Sequence, residues 1–232
     1  MNTPVNTPVN GTFSATARAP MPPAPLIGLT GHAGSGKDSC AAALCAAGWA
    51  SIAFADALRI EVASAFGIDI RELTQRTAKE TPRRTLAAGG GQNANWLRFI
   101  AVNGFSLIEP RSPRWVLQRW GEFRRQTDPQ HWVRPVVYWT SYQRQRGCPG
   151  LVVTDVRMPN EALALRGLAG TIVRVHRAEA APLASDTATH ECERHADLKA
   201  DEDIQNNGTL AALSAEVWRV VSALAQQQGS PA

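Results

Sequence analysis

A glycine-rich stretch carries the clearest chemistry in the sequence. It reads Gly31-His32-Ala33-Gly34-Ser35-Gly36-Lys37 and matches the pattern G-x-x-x-x-G-K. Glycine permits positive φ, so the backbone can approach a ligand closely, and N–H groups at a helix start attract phosphate. An ordinary glycine-rich turn is the alternative, but an apolar run before the stretch and a helical pattern after it favour a phosphate site. We expect these seven residues to bind ATP or a close relative, with the lysine ammonium at the β/γ-phosphates.

The position after Lys37 departs from the usual pattern. A Ser or Thr there normally binds Mg²⁺ through its hydroxyl, but this chain has Asp38, with Ser39 next. Either Asp38 contributes to the water shell of the metal, or Ser39 takes the place of the hydroxyl. The sequence leaves both assignments open.

Short apolar runs alternate with helical patterns along most of the chain. Strands are predicted at 26–30, 49–54, 151–154 and 171–176, and helices at 37–47, 94–104, 113–126, 159–168 and 210–225. Two more helices are predicted to begin at Asp56 and at Asp128-Pro129, each with the aspartate as N-cap. Strands separated by helices indicate a parallel sheet with right-handed crossovers.

The segments outside this pattern set the predicted domain boundaries. Residues 1–25 are rich in Pro, Ala and Thr and are predicted to be a disordered lead, with Met21 as an alternative start. One domain is expected at 26–226, with a substrate-binding and lid region at 67–150 and a frayed tail at 227–232. The polar stretch 67–95 holds three consecutive glycines and is predicted to be a mobile loop or lid.

Composition narrows the class of protein. The 232 residues are 44% hydrophobic, which fits one sizeable α/β domain. The net charge of +4 comes mostly from scattered arginines, which suit small phosphorylated ligands better than nucleic acid. The four cysteines form no C-x-x-C pair, and no secretory or membrane-spanning run is present. We expect a reduced, cytoplasmic protein without a membrane partner.

Six segments together resemble the deoxynucleoside monophosphate kinases of tailed phages and their bacterial relatives. The matching segments are 26–31 running into Gly36-Lys37-Asp38, then 54–59, 117–121 with Arg124, 128–132, 154–162 and, more weakly, 204–210. The glycine-rich loop is common to many nucleotide-using proteins. The block Asp155-Val156-Arg157-Met158-Pro159-Asn160-Glu161-Ala162 is the specific part.

The resemblance implies a fold and a reaction. The family is similar to adenylate kinase and dephospho-CoA kinase, which implies an α/β P-loop NTPase fold. Its five-stranded parallel sheet would be flanked by helices, with a helical insertion that binds the nucleoside monophosphate and forms a lid. The implied reaction transfers the γ-phosphoryl group of ATP, with Mg²⁺, to a deoxynucleoside 5′-monophosphate (dNMP).

The resemblance also implies roles at the strand ends. Asp155 would hold Mg²⁺ through water, with helix capping as its alternative. Arg157 would clamp a transferring or acceptor phosphate, with capping of a nearby carbonyl as its alternative. Asp56 would orient the acceptor or the metal shell, although simple helix capping explains it nearly as well. Arg59, one turn later, is the candidate for the acceptor phosphate.

Further candidates lie in the middle of the chain and near its end. Gln118 would read a base edge, Trp120 would stack on the base, with core packing as its alternative, and Arg124 lies on the same helix. Asn206 would lie near the ATP adenine. Three arginines flank the predicted lid and would close over the nucleotides, with a solvated basic loop as the alternative: Arg76, Arg83 and Arg84.

Three other hypotheses concern metals, partners and function. His190, Cys192 and His195, with Cys148, offer zinc-type ligands, but their spacing fits no common zinc pattern. The Trp-rich middle helices could form a homodimer surface. A P-loop kinase for another small acceptor, such as dephospho-CoA, and a P-loop regulator that binds nucleotide or nucleic acid are the functional alternatives.

Overall fold

The computed structural model of the protein describes residues 23–75, 79–178 and 198–229. Five strands form one sheet: β1 (Leu26–Thr30), β2 (Ala50–Ile52), β3 (Leu151–Val153), β4 (Gly170–His176) and β5 (Glu202–Gln205). Their order is β2-β3-β1-β4-β5, and every neighbouring pair is parallel. The predicted five-stranded parallel sheet of a P-loop NTPase fold is therefore confirmed.

Eight helices accompany the sheet in the described part of the chain. They are α1 (Lys37–Ala46), α2 (Phe54–Phe66), α3 (Arg71–Thr74), α4 (Ala94–Val102), α5 (Pro113–Thr127), α6 (Val133–Gln145), α7 (Pro159–Gly167) and α8 (Leu210–Gly229). None of them is long and apolar enough to cross a lipid bilayer.

The core has three parts, which follow the layers of the fold. One side of the sheet packs on α1 and α8, and another cluster joins β3 to side chains of α6 and α7. The third lies away from the sheet, where α2, α4 and α5 surround the completely buried Trp96 and Trp120. This separate aromatic core explains how the helical region keeps a fixed shape beside the sheet.

Two predicted helix starts are wrong. α2 begins at Phe54, so Asp56 lies in the first turn instead of at the N-cap, which is Ala53. α6 begins only at Val133, and Asp128 is the C-cap of α5. Both aspartates still accept a backbone N–H: Asp56 accepts that of Ala53, and Asp128 accepts that of Gln130. Sequence preference alone does not distinguish these positions from an N-cap.

The glycine-rich part of the predicted lid is packed in this structure. The N–H of Gly89 donates to the Leu107 carbonyl over 2.8 Å, and Gly91 is buried against the ring of Trp96. A Cβ at Gly91 would lie 2.7 Å from that ring, so the triplet serves close packing there. Residues 79–93 form turns against the helical core, in contrast to the predicted mobile loop.

The predicted ends of the domain are also displaced. Ala24 and Pro25, placed in the predicted disordered lead, accept hydrogen bonds from Arg144 and from the N–H of Leu151. At the other end α8 continues to Gly229, past the predicted boundary at 226. The alternative start at Met21 lies outside the described residues.

Candidate active site

The glycine-rich loop connects β1 to α1 at the carboxyl edge of the sheet. Gly31, Gly34 and Gly36 all have positive φ, so the loop follows a path that L side chains rarely adopt. At Gly36, with φ of 105°, a Cβ would also lie 2.3 Å from the side-chain nitrogen of Asn206. Glycine is thus required there for two independent reasons.

Lys37 lies over its own loop. Its ammonium donates to the carbonyl oxygens of Gly31 and His32 over 2.6 and 2.7 Å. Both carbonyls belong to the expected phosphate site, so the charge is already positioned at the loop where phosphates would bind.

Asn206 is positioned beside the loop, where its amide Nδ2 donates to the Ser35 carbonyl over 2.8 Å. Its own N–H donates to His176 at the end of β4. Asn206 lines the large cavity described below, but the contact that it makes is a brace between β5 and the loop. This contact does not test the predicted position of Asn206 near the ATP adenine, which stays a prediction.

A large cavity, here called the donor cavity, opens over the loop and has a volume of about 1000 Å³. It is lined by Gly31, Ala33, Gly34, Gly36, Lys37, Asp38, Ser39, Asp56, Arg59, Asp155, Arg157 and Asn206, among others. The fold therefore brings most of the predicted site residues to one place. His32 and Ser35 do not line it, because the His32 side chain is exposed elsewhere and the Ser35 hydroxyl is buried beneath the loop.

Asp155 lies just beyond β3 and reaches the start of α2. Its two carboxylate oxygens accept the N–H groups of Phe54 and Ala55 over 2.6 and 3.0 Å. Asp155 therefore does cap a helix, but α2 instead of the helix that follows it in sequence. Burial raises the pKa of this carboxyl, and the nearby Arg157 opposes that shift.

Asp56 completes the capping of α2 from inside its first turn. One oxygen accepts the Ala53 N–H over 2.8 Å, and the other accepts Nη1 of Arg59 over 2.8 Å. The pair lines the donor cavity. Asp56 thus fixes the Arg59 guanidinium at the cavity wall, which is compatible with both of its predicted roles.

A second, smaller cavity adjoins the first, with a volume of about 180 Å³, and is here called the acceptor pocket. Its apolar walls are Phe54, Ala55, Leu58, Leu73, Leu117 and Met158. Eight polar or charged side chains also line it: four of them are Gln118, Arg125, Asp155 and Glu161, and the other four are the cations described next. Gln118 thus lines this pocket, and its role at a base edge stays a prediction.

Four cationic side chains line both cavities and so mark their junction: Arg59, Lys79, Arg114 and Arg157. Sequence reasoning found Arg59 and Arg157 but missed Lys79 and Arg114. Lys79 lies in a turn between α3 and α4, and Arg114 lies at the start of α5. The Arg114 N–H donates to the Lys79 carbonyl over 3.1 Å. Only the tertiary fold brings them beside the sheet edge, and the sequence carries no motif for them. Arg177, after β4, also lines the donor cavity and was missed.

Glu161, another residue that sequence reasoning left without a role, lies at the acceptor pocket and is 6% exposed. Its Oε2 accepts the N–H groups of Arg157 and Met158 over 2.8 and 3.0 Å. The carboxyl thereby fixes the backbone from which the Arg157 guanidinium extends. Burial raises the pKa of Glu161 to about 7, and the charge of Asp155 acts in the same direction.

The predictions for Trp120 and Arg124 need correction. Trp120 is completely buried, and its ring packs on Trp96 at 4.8 Å between centroids, so it offers no face to a base. Its Nε1 donates to Glu61, which also pairs with Arg124 and with His131. Burial favours the neutral acid, but these three donors together hold the pKa of Glu61 below its usual value. Neither Trp120 nor Arg124 lines the donor cavity or the acceptor pocket.

Three tryptophans of the middle helices lie inside the protein, and a homodimer surface on those helices stays a prediction. Trp96 and Trp120 are fully buried, and Trp132 is 4% exposed with its Nε1 donating to the Gly121 carbonyl. These rings are part of the internal aromatic core.

The oxygen ligands of the donor cavity suit Mg²⁺. Asp38, Ser39 and Asp155 all line it, and carboxylate and hydroxyl oxygens are the donors that this hard cation prefers. Within the described residues, no group of three or more His, Cys, Asp or Glu side chains could hold a metal alone. A magnesium ion here would therefore share its coordination with phosphate oxygens and water, as is usual for Mg²⁺.

The remaining predictions concern described residues that line neither cavity and residues that lie outside the described part of the chain. Arg83 pairs with Glu72 over 3.1 Å. Arg84 follows Arg83 and begins a short 3-10 turn, Arg84–Leu86. Arg76 lies outside the described residues, as do the three zinc-type ligands His190, Cys192 and His195. The thiol of Cys148 donates to the Gly150 carbonyl.

Comparison with known proteins adds little beyond the fold. No family model matches the chain, and no curated protein matches its sequence. Among solved structures, the chain is similar to the dephospho-CoA kinase from Campylobacter jejuni, with 13% identity and a TM-score of 0.45 over 86% of this chain and 96% of that one. It is also similar to TT1252 from Thermus thermophilus, with 16% identity and a TM-score of 0.44 over 90% of this chain and 100% of that one. Likeness at this level is no argument for a particular substrate.

Proposed function

We propose that this protein is an ATP-dependent phosphotransferase that phosphorylates a small acceptor, and that the acceptor is a deoxynucleoside 5′-monophosphate. The observation that carries the proposal is the position of the four junction cations, Arg59, Lys79, Arg114 and Arg157. They lie between a P-loop cavity and a small apolar pocket. A site for a single nucleotide does not need so many cations on the side away from the loop.

Phosphoryl transfer between two phosphates requires this kind of arrangement. The transferred group and its acceptor are both anionic, so catalysis consists mainly of positioning and of neutralising charge. In the proposed reaction Lys37 neutralises the donor phosphates, and Arg157 serves the group in transfer. Arg59 and Arg114 bind the acceptor phosphate. Asp38 or Ser39 would hold Mg²⁺, with Asp155 acting through water, and the ion would supply further positive charge against the donor phosphates.

The acceptor pocket fits the rest of a nucleotide. A nucleobase has two apolar faces and a polar edge, and the pocket presents apolar walls beside Gln118. With its phosphate at the junction, a dNMP would place its base between Leu58 and Leu117. This proposal replaces the predicted stacking on Trp120, which is buried.

The proposal is tested by an activity screen. The purified protein is incubated with Mg-ATP and separately with the four dNMPs and dUMP, and ADP and dNDP are quantified by ion-exchange chromatography. We expect stoichiometric ADP and dNDP from at least one acceptor. Absence of turnover with all five would refute the dNMP assignment.

Dephospho-CoA, the second acceptor left open by the sequence, is included in the same screen. Its acceptor atom is a neutral hydroxyl, so it has less need of a cation cluster at the junction than a phosphate acceptor has. Turnover of dephospho-CoA without turnover of any dNMP would assign dephospho-CoA as the acceptor. The protein would then still be a phosphotransferase.

A nucleic-acid-binding regulator makes a different prediction. It would bind DNA with an affinity that falls steeply as salt is added. Fluorescence anisotropy with a labelled oligonucleotide at two salt concentrations measures this directly. Salt-sensitive binding combined with no phosphotransfer would favour the regulator.

A further inference from the structure

Glu161 is unusual among the carboxylates near the site because it is almost fully enclosed and yet lines a pocket. The pocket that it lines also presents Leu58, Leu117 and Met158, which offer no hydrogen bonds, and Gln118, which offers both a donor and an acceptor, beside several arginines. A carboxyl buried in such surroundings is costly unless it serves the fold or a ligand.

The structural use of Glu161 accounts for only one of its oxygens. Both loop amides, from Arg157 and Met158, bind Oε2. The other oxygen, Oε1, is not used in holding the loop. A glutamine would hold the loop equally well through its amide oxygen, without the cost of burying an acid.

We propose that Glu161 is a specificity-determining residue whose Oε1 accepts an N–H from the edge of the acceptor base, alongside Gln118. This inference rests on the proposed function, because it places a base in the acceptor pocket. Base edges differ in the order of their N–H and C=O groups, so one fixed acceptor beside one amide distinguishes among them.

The charges around the pocket are compatible with this role. Arg125 and Arg157 also line the pocket and favour the ionised carboxylate, whereas Asp155 opposes it. Burial sets the balance near neutrality, since it raises the pKa of the carboxyl to about 7. An N–H donor on the base would stabilise the charged form and so be favoured over a carbonyl oxygen at the same place.

The test is the order of acceptor preference in Glu161→Gln. The variant keeps the acceptor for the two loop amides but can place an NH₂ group where Oε1 was. We expect kcat/KM for the best wild-type dNMP to fall at least tenfold relative to the others, so that the order of preference changes. KM for ATP should be unaffected. Glu122→Gln, on α5 and outside both cavities, is the matched control and should keep the wild-type order.

A counterpart on the wild-type protein avoids any question of folding. Methylation of the edge nitrogen of the preferred dNMP removes the proposed donor, and we expect a comparable loss of kcat/KM. This nitrogen is the ring N–H of dTMP, dUMP or dGMP, or the exocyclic amine of dAMP or dCMP, which needs two methyl groups. An equal fall for all acceptors in Glu161→Gln, or no change at all, would show that Glu161 only holds the loop and would overturn the inference. Wild-type turnover would in that case still support the proposed function, whereas a wild type inactive on every dNMP would overturn both.

Discussion

The donor and acceptor halves of the site are built in opposite ways. The donor half is one continuous stretch, Gly31 to Lys37, in which the ligand-binding groups are mostly backbone N–H and one lysine. The acceptor half is assembled from α2, the turn at Lys79, the start of α5 and the loop after β3, and its cationic groups are side chains. A continuous loop leaves a motif in the sequence, whereas a dispersed set of side chains leaves none.

The two halves should therefore respond differently to mutation. The donor loop depends on backbone conformation, so a change there should affect folding and ATP binding together. The acceptor half depends on separate side chains anchored by Asp56, Asp155 and Glu161, so single changes should affect acceptor use while leaving ATP binding intact.

Lys37→Ala should have the largest effect. Because it removes the charge at the transferring phosphates, we expect kcat to fall by about a thousandfold. Steady-state kinetics with Mg-ATP and the best acceptor measures this. Lys199→Ala, an exposed lysine that lines neither cavity, is the control and should retain full activity. A Lys37→Ala protein within tenfold of wild type would contradict the donor assignment.

Arg114→Met should affect the acceptor alone. Loss of one charge-assisted hydrogen bond, worth about 1.5–3 kcal/mol, should raise KM for the dNMP by about 10–100-fold. KM for ATP should stay within a factor of about two, since the loop is unaltered. Arg219→Met, an arginine of α8 outside both cavities, serves as the control. Equal increases in both KM values would remove the distinction between the halves.

Gly36→Ala tests the backbone dependence of the donor half. The new Cβ would meet Asn206 at 2.3 Å at a φ of 105°, so both strain and collision oppose it. We expect the free energy of unfolding to fall by about 2–3 kcal/mol, together with weaker ATP binding. Gly104→Ala, with φ of 71° and no atom within 4 Å of the added Cβ, has the strain alone. It should cost about 1 kcal/mol in urea denaturation and leave ATP binding unchanged. Equal losses in the two variants would mean that the brace by Asn206 is unimportant.

The last prediction concerns the pH dependence of stability in Glu161→Gln, which builds up gradually with pH. The pKa of Glu161 is raised from 4.5 to about 7 in the folded protein, so the unfolded chain releases this proton first as pH rises. Wild-type stability should therefore fall between about pH 4.5 and 7, by at most about 1.4 kcal/mol per pH unit.

The variant lacks this titration, so the difference between the two unfolding free energies should change steadily over that range. Chemical denaturation at pH 5, 6 and 7 measures it. Parallel curves would show that the carboxyl titrates normally.

The sequence predicted the loop between β1 and α1 and the sheet well because both depend on local pattern. β1, the loop and α1 form a continuous unit, and the apolar runs of β3 and β4 are distinct. β5 was not found by pattern, since Glu202–Gln205 contains only one apolar residue, Ile204. It is a strand because it pairs with β4, and such pairing is a tertiary effect.

Two polar side chains show what the sequence could not supply. Asp155 was expected at a metal or at a helix cap and Arg124 at a substrate. In the structure Asp155 caps α2 and Arg124 pairs with Glu61, and both partners are distant in sequence. A polar residue next to a motif can serve the ligand or the fold, and the choice depends on which buried groups need a partner. Those groups become known only once the helices are packed.

If the two cavities are halves of one site, a single bisubstrate ligand should occupy both of them. The probe is adenosine joined to a deoxynucleoside through five phosphates, and its binding is measured by isothermal titration calorimetry with Mg²⁺ present. We expect one molecule of the probe to bind per chain, more tightly than ATP. Both Lys37→Ala and Arg114→Met should reduce its affinity. Binding no tighter than that of ATP, and insensitive to Arg114→Met, would contradict this expectation.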